Sequence, residues 1–106
     1  IKNIVQEMQL VKEIRLVETL FEELGKDNGL IAYGLEEVNK AIDFGAVKDL
    51  LVCDDFMLEN REESEGIMQK TEKMKGNVHL LDAGNDAGKK LASLGRVAAL
   101  LRFKIG

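Results

Sequence analysis

Carboxylates that gather where an apolar run ends are the first residues of this 106-residue chain able to do chemistry. Asp54 and Asp55 follow Leu50-Leu51-Val52-Cys53, and Asp82 and Asp86 follow Val78-His79-Leu80-Leu81. In open α/β sheets, ligands collect beyond the carboxyl ends of the strands, where clustered carboxylates can hold Mg²⁺ and, through it, a phosphate ester. Asp54 and Asp82 are the candidate metal ligands on that reading. The same residue types have a plainer use, because Asp and Asn at a helix start or loop opening accept hydrogen bonds from unpaired backbone N–H groups. Capping is the favoured reading for Asp82, Asn85 and Asp86, and a loop opening for Asp54-Asp55.

Cys53 and His79 are the single cysteine and the single histidine. A nucleophile pair needs the two in contact and a third group to orient the base, and no third group is evident. One Cys and one His also fall short of the four ligands of a zinc site. Gly84-Asn85-Asp86-Ala87-Gly88-Lys89-Lys90 has the glycines and lysines of a phosphate loop, but not the G-x-x-x-x-G-K-[ST] spacing, and Asp86 would repel a phosphate. Lys89, Lys90 and Arg96 form at most a small basic spot. The expectation is a domain with no catalytic set and no cofactor of its own.

The elements that carry these residues can be read from periodicity. Ile4, Met8, Val11, Ile14, Val17, Phe21 and Leu24 recur at three- and four-residue steps, widened by Leu10, Leu16 and Leu20, which predicts an amphipathic helix over residues 4–24. Lys12, Glu13, Glu18, Glu22 and Glu23 fall on its wet side. Gly25 stops it and Lys26-Asp27-Asn28-Gly29 turns the chain. A short strand at 30–34, a helix at 35–44 and a buried strand at 50–53 follow. A helix over 61–75 (Ile67, Met68, Thr71 and Met74 inward), a strand at 78–81, a helix over 86–94 and a strand at 97–103 complete the chain. That order predicts a three-layer α-β-α sandwich on a mixed, mostly parallel sheet of about four strands, preceded by the long N-terminal amphipathic helix.

Size and composition agree. Residues 1–106 suit one domain with one core, and 45% hydrophobic with 32% charged residues excludes a disordered chain. A lone cysteine allows no internal disulfide and fits a reducing, cytoplasmic setting. No stretch approaches the roughly 18 apolar residues of a membrane span, and a net charge of −4 argues against a broad nucleic-acid surface. The start, Ile1-Lys2-Asn3-Ile4, is not a signal peptide and falls inside a helical pattern, so the chain reads as part of something longer.

Phe21, Leu24, Leu30 and Tyr33 make the most useful cluster, because the turn after the first helix brings them to one edge of the domain. Aromatic and aliphatic anchors of this kind are typical of protein interfaces; the alternative is a small core beneath the turn. Tyr33 points to a half-exposed position, since its hydroxyl wants water or a partner.

Arg15-Leu16-Val17-Glu18, Leu20-Phe21-Glu22-Glu23-Leu24 and Ala32-Tyr33-Gly34-Leu35-Glu36-Glu37-Val38 resemble the C-terminal domain of Pelota, the paralogue of the class-one translation termination factor. So do Gly45-Ala46-Val47, Leu50-Leu51-Val52, Asn60-Arg61-Glu62-Glu63 and Ala98-Ala99-Leu100-Leu101-Arg102-Phe103, in order along the chain, and the archaeal form matches best. Where the family often carries a Glu-Gln pair before the last helix, this chain has Lys89-Lys90. The resemblance implies a C-terminal domain whose N-terminal and central partner domains are not in this sequence. It implies ribosome rescue and mRNA surveillance on stalled ribosomes, with this domain held by an elongation-factor-like translational GTPase and an ABC-type ribosome-recycling ATPase. Phe21, Leu24 and Tyr33 are the residues expected to bind such partners, with the domain a monomer. A divalent-metal endoribonuclease activity is ascribed to the family, mainly to the N-terminal domain.

The fold implied is also that of kink-turn RNA-binding ribosomal proteins, which read sheared G·A pairs with a Gly-x-Asn-Glu segment. Here the matching stretch is Gly34-Leu35-Glu36-Glu37. Glu36 cannot donate a hydrogen bond and repels phosphates, so direct sequence-specific RNA recognition is not expected.

Overall fold

The computed structural model describes residues 2–26 and 29–104, with the side chains of 2–7 and 9 set aside. In chain order the elements are α1 (Lys2–Lys26), β1 (Ile31–Tyr33), α2 (Leu35–Asp43), β2 (Val47–Cys53), α3 (Asp54–Glu59), α4 (Arg61–Lys73), β3 (Asn77–Leu81), α5 (Asp86–Ala92) and β4 (Val97–Leu101). The strands form one sheet in the order β1-β4-β2-β3. Helices α1 and α5 cover one face of it, while α2 and α4 pack together on the other. The three-layer sandwich stands.

The balance of strand pairing differs from the expectation. β2 and β3 pair in parallel from Asp49↔Asn77 to Cys53↔Leu81, but β4 is antiparallel to β1 and to β2. The helical crossovers through α2 and through α3–α4 keep β1, β2 and β3 pointing one way. β4 then returns from α5 against that direction and slots between β1 and β2. Its sequence could not tell: Val97, Ala98, Ala99, Leu100 and Leu101 are all buried, and a strand buried on both faces has no alternation to read.

β2 begins at Val47, ahead of the expected Leu50. Lys48 and Asp49 interrupt its apolar run, and the pairing with β4 shifts register between Val47 and Asp49. Residues 54–59, expected to open as a loop, form α3. Asp54 and Asp55 fill its first turn, where carboxylates suit the positive end of the helix, and Phe56 drops into the core.

Helix α1 is longer than the surface it covers. Its 25 residues span about 37 Å at 1.5 Å per residue, whereas four strands are only ~14 Å across. Val17 and Leu20 are therefore fully buried, and Ile14, Leu16 and Phe21 pack partly against the core. Met8 and Val11, expected inward, are exposed, as is Leu10. The Ile4 side chain and the Asp27-Asn28 turn lie outside the described residues. In α4, Ile67 and Thr71 are buried as their spacing implies, Met68 and Met74 lean on the core, and Ser64 joins them.

Candidate functional site

The strand-end acids are occupied by the backbone. Asp54 Oδ1 accepts the Ala83 N–H at 3.1 Å, tying the end of β2 to the loop after β3. Asp55 Oδ1 accepts the Phe56 N–H at 2.7 Å, and Asp82 Oδ1 accepts the Gly84 N–H at 2.8 Å. Asn85 caps α5 by accepting the Gly88 N–H at 2.9 Å. Each bond satisfies an amide that a loop or helix start leaves free. Among the described residues no three His, Cys, Asp or Glu side chains are grouped so as to hold a metal.

Cys53 and His79 turn to different partners. The Cys53 thiol is buried and donates to the Gly88 carbonyl at 3.4 Å. Burial, and then the neighbouring Asp55 and Asp54 charges, push its pKa up to about 11. A thiol held protonated at neutral pH is no nucleophile. His79 Nε2 lies 3.1 Å from Asp49 Oδ1, and the Asn77 side-chain amide donates to the same oxygen at 3.4 Å. In the β2–β3 register Cys53 stands opposite Leu81 and His79 opposite Leu51, so the two are two positions apart along the strands.

The glycine and lysine stretch is explained by packing. A Cβ on Gly88 would collide with the Asp82 carbonyl, so α5 can lie this close to the end of β3 only without a side chain there. Lys89 and Lys90 point to solvent. Arg96 is not part of a basic spot with them: its guanidinium pairs with Glu59 and lies 3.9 Å from Asp55. It also sits 5.5 Å over the Phe56 ring.

Glu13, expected on the wet side of α1, is buried beside the end of β3. Burial raises its pKa; the nearby Asp82 backbone N–H lowers it, the Asp82 charge raises it and His79 lowers it. Helical spacing alone could not reveal this, because Glu13 adjoins the inward stripe and becomes buried only through the β3–α5 loop that meets it. Since α1 also packs on β1, the helix crosses the whole sheet.

The aromatic edge has one open member. Tyr33 ends the edge strand β1 opposite Ala98 and is 47% exposed. Phe21 packs partly against the core, and Leu24 and Leu30 are half-buried. At the adjoining turn Gly34 starts α2 with φ at +83°, a conformation that glycine adopts without penalty. Glu36 and Glu37 then stand exposed in the first helical turn, leaving carboxylates where a kink-turn reader needs an amide.

Among the described residues no helix is long and apolar enough to cross a membrane. The family described as eRF1 domain 3 matches residues 10–105. A pelota homolog of Methanococcus maripaludis is 43% identical over 105 residues, covering 99% of this chain and 30% of that protein. The chain thus spans about 30% of the length of the curated relatives it matches. A model of ribosome-bound archaeal Pelota and ABCE1 superposes with a TM-score of 0.85 at 41% identity, over 98% of this chain and 29% of that one. Dom34 of S. cerevisiae, a translation termination-like factor involved in RNA quality control pathways and interacting with Hbs1, gives 0.87 at 29% identity, over 94% and 29%.

Proposed function

The chain belongs to the family described as eRF1 domain 3, matched over residues 10–105, and from that premise we propose that it is the C-terminal docking domain of a Pelota-like ribosome rescue and mRNA surveillance factor. It is a binding module. Its partners on a stalled ribosome are an elongation-factor-like translational GTPase and an ABC-type ribosome-recycling ATPase. The interaction of Dom34 with Hbs1 and the assembly of archaeal Pelota with ABCE1 on the ribosome support those two classes. The remainder of the factor, an N-terminal and a central domain, supplies the contacts made deeper in the ribosome, and the setting is the cytoplasm.

The observation that carries the reading is Tyr33, an aromatic ring left half open at the end of the edge strand β1. Tyrosine is among the side chains enriched at interface hot spots. Cys53, His79, Asp54 and Asp82 are each engaged within the scaffold, so the useful groups are on the surface.

The test is a titration of this chain against an elongation-factor-like GTPase, with wild type and Tyr33→Ala. The variant is expected to bind about tenfold more weakly or worse, the scale of an aromatic anchor truncated at an interface. Unchanged affinity removes Tyr33 from the interface. No binding by the wild type removes the docking reading for this domain.

A further inference from the structure

The end of the sheet opposite Tyr33 has a composition unlike the rest of the chain. There α2 finishes, β2 starts, α4 turns into β3 and β4 leaves the sheet. The Arg102 N–H donates to the Ala46 carbonyl at 2.7 Å, the Arg102 guanidinium donates to the Met74 carbonyl at 2.8 Å, and Gly76 abuts the Val47 carbonyl. Residues 43–48, 72–76 and 102–104 are thus drawn together. They hold five cations (Lys48, Lys73, Lys75, Arg102 and Lys104) and two acids (Asp43 and Glu72), a net of +3 in a chain whose total is −4. All seven are exposed, and none of the five cations pairs with a carboxylate among the described residues.

Two of those cations have structural uses. Lys73, in the last turn of α4, and Arg102, on the Met74 carbonyl, offset the negative end of that helix. Lys48 and Lys75 have no such partner among the described residues, and the stem of Lys104 lies over Gly29 with its ammonium group unpaired among them. Lys75 is also held at φ +65°, the left-handed position after a helix where glycine costs least. The same segments carry two open rings, Phe44 at 64% and Phe103 at 48% exposure. Cations alone would be a solvated face, and rings alone an apolar patch. Together they make the pairing that non-specific single-strand binders use: phosphates meet the ammonium groups and bases stack on the rings.

We propose that this end of the sheet, built on Phe44, Phe103, Lys48, Lys75 and Lys104, is a contact surface for single-stranded RNA. Recognition is by charge and stacking and not by base edges, in keeping with the carboxylates at Glu36 and Glu37. Tyr33 lies at the other end of the sheet, so the Tyr33→Ala titration and the variants below test the two readings separately.

The experiment is a fluorescence-anisotropy titration of the chain against a labelled, unstructured RNA 12-mer at several salt concentrations. Wild type, Lys75→Gly, Phe103→Ala and a Lys89→Ala/Lys90→Ala control are compared. Binding should weaken as salt rises, and Lys75→Gly should lower the log–log salt slope by about 0.7, the loss of one phosphate contact. Phe103→Ala should weaken binding roughly fivefold or more, on the scale of one stacked base, while the control leaves it unchanged. Lys75→Gly relieves the left-handed strain, so its melting temperature should not fall and lost affinity cannot be blamed on unfolding. No binding to the RNA, an equal loss in the Lys89/Lys90 control, or equal binding of a poly-glutamate peptide would each overturn the assignment.

Discussion

Gly88→Ala tests whether the loop that looks like a phosphate cradle is in fact a packing contact. In an open helix the substitution would stabilise, since alanine is favoured over glycine by about 1 kcal/mol in a helix interior. Here the added methyl meets the Asp82 carbonyl oxygen and sits 2.7 Å from its carbon and 2.8 Å from the Ala83 Cα. All three are backbone atoms, so no side-chain rotation can clear the space. Helix α5 must lift from the end of β3, at an overpacking cost of ~1–3 kcal/mol. The lift also strains the Asn85 cap on the Gly88 N–H and the Cys53 bond to the Gly88 carbonyl, and losing a cap costs about 1 kcal/mol. Against the propensity gain, the net is a destabilisation of about 2 kcal/mol. For a domain of this size that lowers the melting temperature by roughly 8–16 °C. Thermal unfolding followed by far-ultraviolet circular dichroism measures it directly. A Gly88→Ala protein that melts at or above the wild-type temperature would refute the close approach of α5 to β3.

Two further substitutions probe buried polar groups. Glu13 has its folded pKa raised above the ordinary 4.5, mainly by burial, so between pH 4.5 and that raised value the folded state binds more protons than the unfolded state, and stability falls as pH rises through the window. Glu13→Gln should therefore raise the melting temperature at pH 7 and give a smaller gain below pH 4.5; an equal gain at both would dismiss the ionisation argument. Ser64 is fully buried and its hydroxyl has no hydrogen-bond partner among the described residues, so Ser64→Ala should stabilise the chain by ~1 kcal/mol. A loss of stability in urea unfolding would mean that the hydroxyl is satisfied after all.

The residues most legible in the sequence were those whose environment is set by local spacing. Val17 and Leu20 inside α1, Ile67 and Thr71 inside α4, and the cap at Asn85 followed from helical period and residue chemistry. What failed was set at long range. Glu13 lies one step off the apolar stripe and is buried by the loop after β3, some seventy positions along the chain. Met8 and Val11 keep the helical period but lie past the edge of a narrow sheet. The direction of β4 leaves no trace in five residues buried on both faces. α3 was hidden for another reason, because paired aspartates open loops and helices alike and only the burial of Phe56 decides between them.

The site followed the same division. Residue types marked Asp54, Asp82, Cys53 and His79 as able to do chemistry, and tertiary contacts engage each of them: two carboxylates on loop amides, a thiol on a helix carbonyl, an imidazole on Asp49. On the surface, the sheet separates the open aromatics. Tyr33 stands where β1 finishes and β4 begins, while Phe44 and Phe103 stand where β2 begins and β4 finishes. The five residues of β4 between them span roughly 17 Å at strand spacing. That exceeds the 7–10 Å or so within which neighbouring sites usually couple energetically. Substitutions at Tyr33 and at the basic end should therefore add independently, so the two surfaces can be tested one at a time.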